Sequence, residues 1–273
     1  MPGMALVRGV GDVGSAVAHR LFSDGYHVVL HDEPQPATTR RRMAFADAAF
    51  DGAAFLEGVE ARLAPDVPTI RDVLDGRMVA VHLGPFESLV AVLRADVLVD
   101  ARMRKRTIPE DQRGYAAVAV GLGPNFEAGV TCHVAVETSW QALGSVVFRG
   151  ATLPLAGEPR ELGGYARERY VYAPRSGVFR TDAKIGDPVT AGRPVARIAG
   201  EVLAAPLSGI LRGLTHDGVP VRARTKVIEV DPRNRGDEIE GIGERPRKIA
   251  AGVMAAITSL RAQPATPVSR SCD

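Results

Sequence analysis

Apolar and polar positions follow two different rhythms along the chain. Residues 4–31 set the first: an apolar run at Met4–Arg8, a glycine-rich turn, then Val13, Val17 and Leu21 at helical spacing. Gly25 stands where a helix ends, and a second apolar run follows at His27–His31. This is a strand–helix–strand unit. Further strand-like runs lie at 78–83, 97–101, 116–120 and 130–136, with helical patterns at 69–75 (Thr69 as cap) and 86–94 between them. Such alternation predicts a mostly parallel α/β sheet over residues 1–150. Residues 150–164, rich in Gly and Pro, mark its end.

The second rhythm is one of short strands and turns, and it repeats. Residues 173–198 align without a gap to 205–230, at an offset of 32, with ten of 26 positions identical, Pro174, Gly177, Gly186 and Pro188 among them. Turn residues recur at fixed spacing only where the backbone needs the same turn twice. Residues 163–235 are therefore expected to pair two copies of one unit about a pseudo-twofold axis, in an all-β domain of biotinyl/lipoyl-like (barrel-sandwich hybrid) form. Residues 236–261 carry an apolar helix with Pro246 at its start, and 262–273 read as a disordered tail.

Composition narrows the function. The chain has 273 residues, 45% hydrophobic and 24% charged, with a formal net charge of +2. That is an ordinary globular balance with too little basic excess for a nucleic-acid partner. No secretory leader and no run of membrane-spanning length is visible, so a cytoplasmic protein without a membrane partner is expected. The two cysteines, Cys132 and Cys272, are far apart, which suits a reducing compartment. Only four residues are lysines, and the joint between the repeats, Arg197–Val202, carries none. Neither biotin nor lipoate is therefore expected on this carrier-like fold.

The clearest motif is Gly9-Val-Gly11-Asp-Val-Gly14, a G-x-G-x-x-G after a strand and at the start of a helix. Its logic is a tight turn at Gly9, close approach of a phosphate at Gly11, and helix–strand packing at Gly14. Asp32 ends the second strand, where a ribose-binding carboxylate belongs. Asp12 lies inside the turn, and its charge opposes a pyrophosphate. Arg41 and Arg42, within the run Arg40–Arg42, offer guanidinium forks to an anionic group. Arg102, Arg104, Lys105 and Arg106 form a second basic run. Gly121-Leu-Gly123-Pro-Asn125 is a second glycine loop whose amides could form an anion nest. Cys132, His133 and Glu137 follow it as catalytic candidates, although Cys132 and His133 face opposite sides of a regular strand. No zinc-type cysteine spacing is present.

Taken together, several stretches resemble one family, the accessory proteins of selenium-dependent molybdenum hydroxylases. They are Val7–Val13, Gln35-Pro36 with Arg41, Arg42 and Phe45, Leu98–Met103, Val120–Pro124, Ala128–His133 with Val136–Thr138, and the repeated Ala-Pro-x-Ser-Gly. The resemblance implies a Rossmann-like half, a carrier-like half, and a role in maturing or servicing a hydroxylase of the xanthine dehydrogenase type. Its ligand would be a nucleotide-type small molecule, the dinucleotide form of molybdenum cofactor or NAD(P), and a homo-oligomer is compatible with it. The chain departs from the family pattern at Val10 and Val13-Gly14, and it lacks a cysteine expected near residue 240. An NAD(P)-dependent oxidoreductase and a non-catalytic scaffold are the alternatives.

Overall fold

The computed structural model describes residues 3–104, 107–154, 159–233 and 238–262. Lys105 and Arg106, the second half of one basic run, and the tail from residue 263 with Cys272 lie outside the described residues.

The N-terminal half is one sheet between helices. Its strands are β1 (Met4–Arg8), β2 (His27–His31), β3 (Ala53–Leu56), β4 (Val59–Leu63), β5 (Val79–His82), β6 (Val97–Asp100), β7 (Val118–Leu122), β9 (Val134–Val136) and β10 (Val146–Val147). A short pair, β8 (Glu127–Ala128) with β11 (Gly150–Ala151), stands apart. The helices are α1 (Asp12–Ser23), α2 (Ala48–Asp51), α3 (Val67–Asp75) and α4 (Phe86–Leu93). Strand order is β10-β9-β7-β6-β1-β2-β5-β4-β3, and only the outermost β3 and β10 run antiparallel to their neighbours. The chain reverses direction across the sheet at β1, which lies between β2 and β6. The central strands are apolar on both faces because both are covered: Ala5, Val7, Val28 and Leu30 pack on one side, Leu6 and Val29 on the other.

Local chemistry sets the boundaries. At the end of α1, Gly25 adopts φ +91°; its amide donates to Phe22 O and that of Tyr26 to Leu21 O, a Schellman end. Asp66, not Thr69, caps α3, its carboxylate accepting from the Thr69 amide at 2.8 Å. The strand expected over 130–136 begins only at Val134, because the amides of Val130 and Thr131 turn back to Glu127 O. The β3–β4 hairpin at 53–63 has no counterpart in the sequence reading.

The C-terminal half contains two four-stranded antiparallel sheets. Its strands are β12 (Tyr170–Tyr172), β13 (Gly177–Arg180), β14 (Pro188–Val189), β15 (Pro194–Ile198), β16 (Glu201–Ala204), β17 (Gly209–Leu214), β18 (Pro220–Val221) and β19 (Lys226–Asp231). The sheets run β12-β19-β17-β14 and β16-β15-β13-β18. Shifting by the repeat offset carries each strand of one onto its equivalent in the other, β12 and β16 included. Phe179, Ile198, Leu211, Leu214 and Ile228 fill the space between them. The β15–β16 joint turns on Ala199 and Gly200, both at positive φ, as a two-residue hairpin requires.

The last helix, α5 (Glu244–Ala262), returns to the first sheet. It lies along α1 and over β7, β9 and β10, with Gly252 tight against the Gly144 carbonyl. The β unit is thus held between two parts of the α/β layer. It docks on the segment after β2: Leu214 N donates to Thr39 O, Arg41 Nε donates to Leu214 O, and Phe50 stacks on His216 at 4.1 Å.

Candidate functional site

The turn between β1 and α1 meets the geometric demands of its three glycines in three ways. Gly9 has φ +108°, and a Cβ there would press on the Ala101 carbonyl at 2.9 Å. A Cβ on Gly14 would overlap the Gly9 carbonyl oxygen, so helix and turn approach as closely as glycine permits. Gly11 is the exception: its backbone is extended (φ −65°, ψ 178°), and a Cβ would meet nothing within 4 Å. Among the described residues, the amides of Gly11, Asp12 and Gly14 donate to no acceptor, while Gly9 N donates to His31 O at 2.7 Å. The free amides of Gly11 and Asp12 and the positive end of α1 therefore lie at the carboxyl edge of the sheet, with open space beside Gly11, whereas Gly14 is buried. Asp32 stands beside the turn. Its carboxylate accepts from the Val10 amide at 2.8 Å and the Glu33 amide at 2.8 Å, and burial pushes it above the ordinary carboxylate range.

Arg40, the neighbour of the two expected arginines, reaches this turn. Its Nη1 donates to Asp12 at 3.1 Å, and its Nε and Nη2 grip Glu229 of β19 at 2.9 and 3.0 Å. The Asp12 charge that opposes a pyrophosphate is thereby paired. Arg41 is held by Asp47 and the Leu214 carbonyl, and Arg42 by Glu240 at 3.1 Å. Both line a cavity of about 380 Å³ with Asp51, Phe55 and Glu57, which does not border the glycine turn. Glu229 is fully buried and also receives Arg169, Lys226 at 3.0 Å, and Arg212 at 3.6 Å. Burial disfavours its charge, but Arg40, Lys226 and Arg169 outweigh that and hold it well below 4.5. Arg245 of α5 joins from the other side, donating to Thr138 O at 2.9 Å. Burial lowers its pKa, and Asp12 lies within its field.

The second glycine loop is built differently. A Cβ on Gly121 would overlap the Phe126 ring, and one on Gly123 would lie 2.8 Å from Thr138 Oγ1. The Gly123 amide already donates to Val136 O. Asn125, at φ +74°, donates from its side chain to Thr107 O at 3.2 Å. Of the following residues, Cys132 is buried against Phe126 and Ala135, its Sγ 3.7 Å from Glu127 O; burial pushes the thiol up to about 11. His133 Nδ1 accepts from the Ala119 amide at 2.9 Å, and burial lowers its pKa. Glu137, also buried, accepts from the Leu153 amide at 2.5 Å. No hydrogen bond joins the three, and Cys132 remains a protonated thiol at neutral pH.

Arg40 and Arg245 escape a sequence reading because only the chain path tells which member of a basic run faces inward. A second overlooked feature lies on the α3–α4 face. Arg8, His31, His82 and Asp100 are register partners on four adjacent strands, all buried at the strand ends. A polar residue closing each apolar run was the available signal. Arg8 lies 3.6 Å over the Phe86 ring and donates to Glu110 at 2.6 Å, while Asp100 is chelated by Arg102. Arg104 also pairs with Glu110, so the described part of the second basic run is neutralised locally. Among the described residues no group of three or more His, Cys, Asp and Glu is gathered for a metal ion, and no helix is long and apolar enough to cross a membrane.

Comparison with known proteins gives a sequence relative. The chain is a homologue of the uncharacterized protein YqeB of Escherichia coli, 34% identical over 263 residues, which is 95% of this chain and 48% of that protein. It thus spans about half the length of the curated relative it matches. No family model matches it. Among solved structures, an aspartoacylase family protein from Mesorhizobium loti aligns over 84% of both chains at 11% identity, with a TM-score of 0.25. A succinylglutamate desuccinylase/aspartoacylase from Rhodobacter sphaeroides aligns over 84% of this chain and 85% of its own, at 17% identity and a TM-score of 0.27. Likenesses at this level bear on neither fold nor activity.

Proposed function

We propose that the chain binds the phosphate end of a nucleotide-type cofactor at the Gly9–Gly14 turn and acts as an accessory protein in maturing or servicing a molybdenum hydroxylase. On this reading the α/β layer is a Rossmann-like nucleotide-binding domain. The paired β units form a biotinyl/lipoyl-like domain that docks the partner enzyme. The observation that carries the proposal is the open side of Gly11, with free amides around it, at the point where strand order reverses. Open α/β sheets bind ligands at that point, and a phosphate is the group that uses such amides. The residues present suit a pyrophosphate because Arg40 neutralises Asp12. The hydroxylase rests on the family resemblance of Val7–Val13, Leu98–Met103 and Ala128–His133. Among cofactors it favours the dinucleotide form of molybdenum cofactor over NAD(P).

The test is calorimetric titration of the full chain with a cytidine dinucleotide or molybdopterin, and separately with NADH and NADPH. The molybdenum-type ligand is expected to bind more tightly, and Gly11→Glu is expected to weaken it at least 10-fold. Tighter binding of NAD(P)H replaces this reading with an oxidoreductase. Co-purification of a hydroxylase without any nucleotide binding replaces it with a scaffold.

A further inference from the structure

The charges between the β unit and the glycine turn do not balance. Four cations, Arg40, Arg169, Arg212 and Lys226, converge on Glu229, and among the described residues Asp12 is the other carboxylate paired directly to one of them. The neighbouring Asp231 acts on Arg212 at longer range and is chelated by Arg233, which also pairs with Glu238. The four cations thus share two directly paired carboxylates in a largely enclosed site. Arg212 is the least satisfied: its nearest carboxylate oxygen is 3.6 Å away, one Nη makes only a 3.9 Å contact with Met43 Sδ, and its Nε is buried without an acceptor. Arg169, 3% exposed, likewise has a buried Nε with no acceptor. Burial costs a cation several kcal/mol unless an anion offsets it, and both Arg212 and Lys226 are held below their ordinary pKa by that burial. A core that merely needed cohesion would not concentrate cations this way.

The cluster also adjoins the turn. Arg40 touches Asp12 in the first turn of α1 and Glu229 in the cluster with one guanidinium, so a single planar group spans the gap. Arg40 and Lys226 keep side-chain exposures of 23% and 29%, which leaves an opening to solvent.

We propose that Arg40, Arg212 and Lys226 form an anion subsite beside Glu229 that takes a phosphate dianion. This deepens the nucleotide reading, since a ligand with one phosphate at Gly11 would place a further phosphate there. Free pyrophosphate carries the same chemistry. Either source supplies negative charge where four cations share two directly paired carboxylates, and Arg and Lys donate the charge-assisted hydrogen bonds.

The experiment uses the full chain with pyrophosphate and with cytidine diphosphate, in chloride at matched ionic strength, and reads Kd and Tm. Three variants accompany the wild type: Arg212→Gln, Lys226→Met, and Gly11→Val, which fills the turn without adding charge. Pyrophosphate is expected to raise the wild-type Tm by about 5 °C at 100-fold excess over Kd. Affinity for pyrophosphate should fall at least 10-fold in each cluster variant. Without ligand, both cluster variants should melt at or above the wild-type temperature, because each removes an unbalanced buried cation. That result separates a ligand site from a structural brace. Cytidine diphosphate should lose affinity in all three variants if the two subsites hold one ligand. Equal pyrophosphate affinity in wild type and cluster variants overturns the subsite, as does a wild type that pyrophosphate does not protect. If cytidine diphosphate still binds and only Gly11→Val weakens it, the turn stands as the phosphate site and the cluster falls.

Discussion

Two glycine loops follow two apolar strands in this chain, and they do opposite things with the room that glycine leaves. At Gly9–Gly14 the outer glycines are packed against the protein, while Gly11 faces open space beside a charged cluster. At Gly121–Gly129 the Phe126 ring lies where a Gly121 side chain would be, and Thr138 closes on Gly123. A missing Cβ means that something comes close to the backbone. In the first loop that place is free for a ligand; in the second it is taken by the protein's own ring. Substitutions in the two loops, and in what faces them, should therefore separate cleanly.

The largest effect should come from what faces the first loop. Glu229→Gln removes the carboxylate shared by four cations and leaves them in a buried site. Breaking a buried pair in this way costs about 3–5 kcal/mol, which a urea denaturation curve reads as a lower midpoint. Because the folded pKa of Glu229 lies well below 4.5, its stabilisation is complete above 4.5 and lost only as pH falls through the lower folded value. The gap between wild type and variant should accordingly stay constant from pH 8 to pH 5. A gap below ~1 kcal/mol would mean that water, not Glu229, balances the cations.

Next comes the second loop itself. Gly121→Ala drives a methyl into the Phe126 ring, and overpacking of this kind costs about 1–3 kcal/mol. Ligand affinity should not change in that variant. Pairing it with Phe126→Leu, which makes room, should recover part of the loss. If Gly121→Ala instead weakened nucleotide binding at unchanged stability, the second loop would join the ligand site and the contrast between the loops would collapse.

Much of this framework could be read in advance, for identifiable reasons. The strands β1 and β2 and the Gly9–Gly14 turn were legible because a strand period gives way to a helix period with glycines at fixed offsets. The paired β unit was legible because its turns recur at one offset, and β12 with β16 extends that match beyond the aligned segments. The β3–β4 hairpin was not, since Ala53, Ala54 and Ala61 give a weak strand signal. Nor was the return of α5 to the first sheet, because an apolar helix face does not name its partner. Arg41 and Arg42 were expected at the turn, where Arg40 lies, since a short 3₁₀ turn at Arg41–Met43 swings the later two outward. Glycine spacing alone could not tell an open Gly11 from a filled Gly121.

An effect of similar size, confined to alkaline pH, tests the buried thiol beside the second loop. Cys132 ionises near 11 in the folded protein against an ordinary 9. Between those values the unfolded chain has lost the proton and the folded one keeps it, so stability falls as pH rises from 9 and levels off above 11. At ~1.4 kcal/mol per unit the full loss is about 2 to 3 kcal/mol, and the difference between wild type and Cys132→Ala in urea midpoints at pH 8 and pH 10.5 isolates most of it. Alkylation of the folded protein at pH 7.5 should be at least 100-fold slower at Cys132 than in the unfolded chain. Fast alkylation would return Cys132 to the catalytic candidates.

The smallest effect on stability should be at Gly11, and there the sign is informative. Its φ of −65° and ψ of 178° are open to any residue, and a Cβ meets no atom within 4 Å. Gly11→Ala therefore strains nothing in the folded state and removes freedom from the unfolded one, which favours folding by about 0.4–1 kcal/mol. The same methyl stands where a phosphate must approach the backbone, so nucleotide affinity should fall at least fivefold while Tm holds or rises. Stability and binding moving in opposite directions is what a position kept open for a ligand produces. A vestigial turn would gain the stability and lose nothing, and calorimetry on this one variant distinguishes them.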